Sequence, residues 1–189
     1  MGKRSNFERV ERDYYPTPLE GVQPLFKYLP AKVKFSEPMS GNGQLVNHLV
    51  MAGHECVQYS DIEPMEVFID QLDVFDERLA QFIEDSGAEI IITNPPWDRD
   101  ILHAVIEKLR KIKPTWLLFD ADWKETVQAI PYLPYCHLIV PVGRLKWVPN
   151  SPSTGKDNCS WHLFKAEPSP HGGPICLPRQ AKSKKGKSK

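Results

Sequence analysis

Asn94, Pro95, Pro96 and Trp97 close an apolar run in the stretch EIIITNPPWD. Ile90 to Ile92 suit a buried strand, because β-branched side chains pack well on a pleated surface. The proline after Asn94 pushes that residue into an extended conformation. Pro95 and Pro96 bring carbonyls but no N–H groups. The strand's end therefore offers hydrogen-bond acceptors with few local donors to quench them, beside the large face of Trp97. Such a set can grip a planar group that bears an amine.

Other residues of chemical interest fall at similar places. In FSEPMSGNG, Glu37 and Pro38 end a strand, while Gly41 and Gly43 let the backbone turn tightly against a ligand. The helix that follows can receive a carboxylate at its N-terminus. The spacing is not G-x-G-x-x-G and there is no Walker lysine, and a glycine turn is also ordinary strand–helix punctuation. Asp61 follows about twenty residues later at the end of a second strand, where an acid accepts from ribose hydroxyls. Glu63 competes for that role, and either acid can equally cap a helix or face solvent. Asp73, between Leu72 and Val74 with Phe75 beyond, can take an adenine amino group among apolar neighbours, or be a surface aspartate.

Weaker candidates complete the set. Arg144, Lys146, Trp147 and Lys156 mix cations with an aromatic ring, as suits nucleic-acid contact, although a β-hairpin with surface charges fits them as well. Asp120, Asp122 and Trp123 either border a pocket or cap the next segment. The six histidines show neither metal spacing nor a catalytic companion, so no metal site is expected.

The elements that must position these residues alternate. A short helix starts near Thr17 or Pro18, with Leu25, Phe26 and Leu29 on its apolar side. The strand AKVKFSEP, the helix QLVNHLVMAG closing on Gly53, and the strand HECVQYSD follow. MEVFIDQLDVFD is ambiguous between helix and strand. The strand GAEIIITNPPW leads into an amphipathic helix, DILHAVIEKLRKI, with Ile101, Val105, Ile106 and Leu109 inward. The strand PTWLLFDADW, a short helix KETVQAI and the strand YCHLIVPVG come next. RLKWV and CSWHLFKA are predicted to form a terminal antiparallel pair around PNSPSTGKDN. This alternation predicts an α/β fold with a Rossmann-like, doubly wound, mostly parallel sheet. In such sheets ligands lie at the carboxyl ends of the strands. EPMSGNG, SDIEP, TNPPWD and DADW all follow predicted strands, which points to one shared site.

The chain of 189 residues carries 24 basic and 24 acidic side chains, so no global field announces a partner. The charge is uneven, however: the last eleven residues, RQAKSKKGKSK, hold six cations and no anion. Residues 1–12 read as a polar arm, 13–167 as one folded domain, and 168–189 as a Pro-rich, then Lys-rich disordered tail. Four scattered cysteines suit a reducing compartment, and no run is apolar and long enough to span a membrane. A cytoplasmic protein, of a bacterium or a phage-infected cell, is expected.

DYYPTP, EPMSGNG, SDIEP, QLDVFD and TNPPW, in this order, resemble class I S-adenosylmethionine-dependent methyltransferases. More narrowly, the chain is similar to the small, often phage-borne enzymes of the DNA adenine-N6 type, over roughly residues 13 to 165. The resemblance implies S-adenosylmethionine as cofactor. It places Tyr15 and Thr17 at the methionine end, Glu37, Pro38, Gly41 and Gly43 along the amino-acid moiety, Asp61 at the ribose and Asp73 at the adenine amine. Asn94, Pro95, Pro96 and Trp97 would form the pocket for the target base, with nucleic acid, DNA being the favoured kind, as partner. Sequence-specific DNA methylases usually carry a target-recognition region, and only the N-terminal arm, the loop at 149–158 and the basic tail are available here to serve as one. This leaves room for loose specificity, a shared partner subunit, RNA or a protein amide as acceptor, or a non-catalytic binding subunit.

Overall fold

The computed structural model describes residues 15–148 and 154–179. The predicted polar arm, most of the linking loop before Thr154 and the lysine run beyond Arg179 lie outside the described residues. Strands β1 (Lys34–Glu37), β2 (Glu55–Asp61), β3 (Asp70–Gln71), β4 (Ile90–Thr93), β5 (Thr115–Asp120), β6 (Cys136–Gly143), β7 (Cys159–Phe164) and β8 (Ile175–Cys176) make one sheet. Its order is β3-β2-β1-β4-β5-β7-β6-β8, and β7 alone among the described strands runs antiparallel to its neighbours. The chain winds outward one way from β1 and the other way from β4. The switch point, where a crevice opens above the strand ends, therefore lies between these two strands.

Helices cover both faces. α1 (Leu19–Phe26) and α2 (Gln44–Met51) pack over Phe35, Ile92, Trp116, Leu118 and Trp161. α3 (Leu79–Asp85) and α4 (Arg99–Ile112) pack over Ile91, Leu117, Phe119 and Phe164. Successive residues of β4 and β5 thus serve opposite cores, as the two-residue strand period requires.

Local chemistry sets the helix boundaries. Asp98 caps α4 by accepting from the backbone N–H groups of Asp100 (3.1 Å) and Ile101 (3.3 Å). From that start the inward stripe is Leu102, Val105, Ile106 and Leu109. Ile101, expected inside, falls one residue off the stripe and is exposed. On α1 the buried side chains are Val22 and Leu25, with Leu29 beyond the helix, while Phe26 is half-buried. Gly53, at a φ of 98°, stops α2 just past its last turn.

Three segments depart from the sequence-based expectation. The antiparallel partner of CSWHLF is β6, not RLKWV. Every residue of β7 is buried, which suits a central strand, whereas Arg144 and Lys146 are exposed and Gly143 turns the chain out of the sheet at a φ of 96°. The predicted helix KETVQAI is instead a series of 3₁₀ turns, interrupted where Thr126 becomes extended and bonds the Trp123 carbonyl through its hydroxyl. Residues 168–179, expected to open a disordered tail, run along β6 and add β8, with the Leu177 N–H donating to the Ile139 carbonyl at 2.9 Å.

Candidate active site

Glu37, Asp61, Asp120 and Gly143 end their strands, and Asn94 follows Thr93, so all lie along the carboxyl edge of the sheet. The glycine turn after β1 is a closed hydrogen-bonded unit. Ser40 donates through Oγ to the Glu37 carbonyl (2.6 Å) and through N–H to the Ser60 carbonyl (2.9 Å). Gly43 donates back to the Ser40 carbonyl at 2.7 Å and enters α2 with a φ of 71°. That positive φ, rather than crowding, calls for glycine, since a Cβ there would meet Phe68 and Ile69 only at ordinary contact distance. Pro38 and Gly41 are buried in the same turn.

Asp61 joins this turn to the next one. Its Oδ2 accepts from the Gly41 N–H at 2.7 Å and its Oδ1 from the Glu63 N–H at 2.9 Å. Each oxygen keeps a second lone pair, so the carboxylate can still accept from a diol while it fixes the loop. Glu63 is exposed and Asp61 half-buried, which favours Asp61 over its rival.

Glu37 is the most perturbed acid here. Its side chain is buried and Oε2 has no hydrogen-bond partner. Burial, with the Asp61 charge adding to it, pushes the carboxyl well above the usual carboxylate range, against the pull of the Val46 N–H in the first turn of α2. A buried acid with an unused oxygen under a glycine turn fits the cationic amino end of an amino-acid moiety.

Asp73 sits half-buried between buried Leu72 and Val74, and its Oδ1 accepts from the Phe75 N–H at 2.8 Å. The apolar side chains of Ile62, Phe68 and Phe75 are exposed nearby in sequence, and Phe68 meets Tyr59 edge-on with centroids 5.9 Å apart. The ambiguous segment before Asp73 is neither a helix nor a long strand, but turns with the short β3.

At the end of β4, the Asn94 Nδ2 donates to the Tyr15 carbonyl at 3.2 Å. That bond orients the amide and leaves Oδ1 buried without a partner. Trp97 is held by its indole N–H on the Leu118 carbonyl at 3.3 Å, and its ring meets Trp147 edge to face at 5.7 Å. Tyr15 lies 6.3 Å from Trp147, ring to ring, so Asn94, Tyr15, Trp97 and Trp147 form one group. Gly155 makes room for it: a Cβ there would stand 3.1 Å from both the Leu145 carbonyl and the Trp147 ring.

Pro95 is buried and Pro96 half-buried in the turn between β4 and α4. Thr17 is buried, with its methyl facing Gly21 beneath α1. Arg144, Lys146 and Lys156 are exposed around Trp147 in sequence. Asp120 caps the turn after β5, accepting from the Asp122 N–H at 2.9 Å, and pairs with Arg99 at 2.7 Å. This pair clamps the start of α4 to the end of β5, a role for Arg99 not anticipated from the sequence. The signal for it was an arginine two residues past the motif and an acid at a strand end. Among the described residues, no three His, Cys, Asp or Glu side chains are grouped to hold a metal ion. No described helix is long and apolar enough to cross a membrane.

No family model matches the sequence, and no curated protein matches it. Solved structures do. A protein from Pyrococcus horikoshii assigned as an RNA methyltransferase superposes with a TM-score of 0.51 at 14% identity, over 85% of this chain and 90% of that one. A modification subunit assigned to a type I restriction enzyme of Vibrio vulnificus YJ016 gives 0.51 at 12% identity, over 82% of this chain and 45% of that one. The likeness at such identity is one of fold: the chain has the Rossmann-like architecture that these two structures share.

Proposed function

We propose that the protein is an S-adenosylmethionine-dependent methyltransferase that acts on an exocyclic amine, adenine N6 in DNA being the acceptor that fits best. The observation that carries this is the Asn94 Oδ1, a buried acceptor without a partner, oriented by Tyr15 and linked through the Tyr15 and Trp147 rings to Trp97. A group left unsatisfied in the folded protein costs stability, and is kept where a ligand satisfies it.

The cofactor fits the residues at the first two strand ends. Glu37 and the turn at Gly41 and Gly43 would hold the amino-acid moiety, Tyr15 and Thr17 its near end, Asp61 the ribose and Asp73 the adenine amine. S-adenosylmethionine held there would supply a sulfonium methyl group for the lone pair of the amine nitrogen, the S–C electron pair staying with sulfur. The protein's own part is positioning. An aromatic amine is a poor nucleophile because its lone pair is delocalised into the ring. The Asn94 Oδ1 and the Pro95 carbonyl accept the two amine protons and favour a pyramidal nitrogen, whose lone pair is then directed away from them. The extra proton leaves to water after transfer. Trp97 offers a stacking face to a base flipped out of its duplex. The architecture shared with an assigned RNA methyltransferase and an assigned restriction-modification subunit agrees with a nucleic-acid acceptor.

The deciding experiment is nucleoside mass spectrometry on DNA and RNA from cells that express the protein. N6-methyladenine in DNA is the expected product. Methylated RNA or methylated protein glutamine would transfer the same mechanism to another acceptor, and no product of any kind would leave a non-catalytic binding subunit.

A further inference from the structure

Two segments of the chain meet at Gly143, on the carboxyl edge of the sheet. β6 ends on that glycine, whose φ of 96° turns the chain outward and makes Arg144 the first residue beyond the strand. β8 pairs parallel with β6, Leu138 opposite Ile175 and Ile139 opposite Cys176, so the chain that follows it runs towards the same edge. There the Arg179 guanidinium lies against Gly143, in the space that a Cβ would fill. Two arginines from distant parts of the sequence thus come together at the end of one strand.

Arg144, Lys146 and Arg179 are exposed, and among the described residues none of the three is in an ion pair. Arg99, at the same edge, differs: Asp120 neutralises it at 2.7 Å. Cys159 stands between the two arrangements, opposite Asp120 on one side and Gly143 on the other. Burial raises its thiol pKa and Asp120 adds to the rise, while the Arg179 charge opposes it. Asp157, just before β7, is exposed. From Gly143 the chain passes Arg144 and Lys146 to Trp147, whose ring meets Trp97 at 5.7 Å. Three strand spacings separate β4 from β6, so Gly143 stands about 14 Å along the edge from the end of β4. The phosphates of one DNA strand rise about 3.4 Å each, so that distance spans roughly four of them.

We propose that Arg144 and Arg179 form a phosphate contact on one side only of the target base, roughly four phosphates from it, with Lys146 on the way to the pocket. The ligand is the phosphodiester backbone, of DNA or of RNA, and the proposal rests on the nucleic-acid reading of the site. Arginine suits this place because its planar fork matches phosphate oxygens, and the bare Gly143 leaves space for the Arg179 guanidinium. Such a contact supplies affinity and fixes the register of the strand, and it reads no base.

The test compares the parent chain with Arg144→Gln, Arg179→Gln and the double variant, on one mixed sequence prepared as duplex DNA, single-stranded DNA and RNA. Affinities are measured at several salt concentrations. On duplex DNA the slope of log affinity against log salt should flatten by about 0.9 in each single variant and about 1.8 in the double one. Arg179→Lys keeps the charge and should stay close to the parent slope. A merely structural arginine would instead lower the melting temperature in both replacements and change the slope in neither. The nucleic acid on which the slopes separate identifies the source of the phosphates. Position is read by methylphosphonates placed singly in an oligonucleotide whose methylated adenine has been mapped. A neutral linkage about three to five phosphates to one side should weaken binding by the parent chain and not by the double variant. Equal salt slopes in all the chains, or methylphosphonates that act alike on parent and double variant at every position, would overturn the contact and leave the methyltransferase reading intact. If the parent chain binds none of the three oligonucleotides, the nucleic-acid acceptor and the contact fall together.

Discussion

Trp97 and Trp147 meet edge to face, their ring centroids 5.7 Å apart, although 50 residues separate them in the chain. At that distance the rings are in contact, and no base fits between them. A base that enters between the two rings would have to displace one of them. Trp116, Trp123 and Trp161 are fully buried or nearly so, which leaves this pair as the source of any tryptophan signal that responds to ligand. Adding a target oligonucleotide should change the intrinsic fluorescence, and Trp147→Phe should remove most of that change. Trp97→Ala should weaken substrate binding by about 1–3 kcal/mol, the usual loss for one stacked base. A fluorescence response undiminished in both variants would place the base elsewhere.

Asn94→Ala removes an acceptor whose value rises as the attacked nitrogen pyramidalises. Its cost should fall on turnover, roughly 10²–10³-fold, as when one preorganised polar group is lost. Single-turnover methylation, with S-adenosylmethionine affinity measured alongside by calorimetry, separates the two effects. Full activity in the folded variant would sink the amine-gripping mechanism.

Asp61 accepts from two loop N–H groups and, in the proposed site, would also hold the ribose, so its replacement should be costly twice. In Asp61→Ala the N–H groups of Gly41 and Glu63 lose their acceptor, and the ligand loses its own. Cofactor affinity should drop by about 1.5–3 kcal/mol, the range for hydrogen bonds to a charged group. Glu63→Ala, which leaves both of those bonds in place, should bind almost normally. The reverse ranking would move the ribose contact to Glu63.

Much of this arrangement is legible in the sequence. β1, β2, β4 and β5 declare themselves as apolar runs that end in polar clusters, and the buried face of α4 repeats at helical spacing. α3 was overlooked, although Leu79 and Ile83 are four residues apart and both buried, because the polar residues around them masked so short a stripe. β8 escapes for a related reason: a three-residue stretch between prolines carries no periodicity, and only pairing with β6 makes two of them a strand. The pairing of β7 was misassigned because sequence proximity suggested RLKWV, while burial on both faces required a central place in the sheet. Contacts made by backbone atoms could not be seen at all. The Tyr15 carbonyl that orients Asn94 has no side-chain signature.

His162 lies outside the site, and its burial predicts a contribution to acid sensitivity. It is fully buried, stacked on Phe119 at 3.9 Å, and neither ring nitrogen has a hydrogen-bond partner. Burial pushes its pKa down to about 3; the Leu117 and Ser160 carbonyls lie close enough to oppose the shift without completing a hydrogen bond. The unfolded chain takes up a proton below about pH 6.5, the folded protein only near 3. Stability from neutral His162 is therefore present above pH 6.5 and lost as the pH falls towards 3, by up to about 1.4 kcal/mol per unit. His54 and His103, also lowered by burial, act in the same direction. Urea unfolding at pH 7, 6, 5 and 4 should show this decline, and His162→Phe should make it shallower. Parallel declines in the two proteins would assign acid sensitivity to other groups.

Glu37 carries the opposite sign, and with it a test of what the buried acid is for. Its folded pKa is raised, so the folded protein holds a proton that the unfolded chain has already released. Stability associated with protonated Glu37 is present below the ordinary carboxylate range and is lost as the pH rises towards the folded value. Glu37→Gln keeps the shape and cannot ionise, and should raise the melting temperature at pH 8 by about 2–4 °C, equivalent to about 1 kcal/mol in a chain of this size. The same substitution removes the negative charge that a cationic amino group would draw out. Binding of S-adenosylmethionine should therefore weaken by about tenfold or more, and the proton released on binding to the parent protein should disappear. Calorimetry in two buffers of different ionisation enthalpy reads that proton directly. A variant that is more stable yet binds the cofactor unchanged, with the same proton release, would leave Glu37 a buried structural acid and shift the amino-end contact to the glycine turn alone.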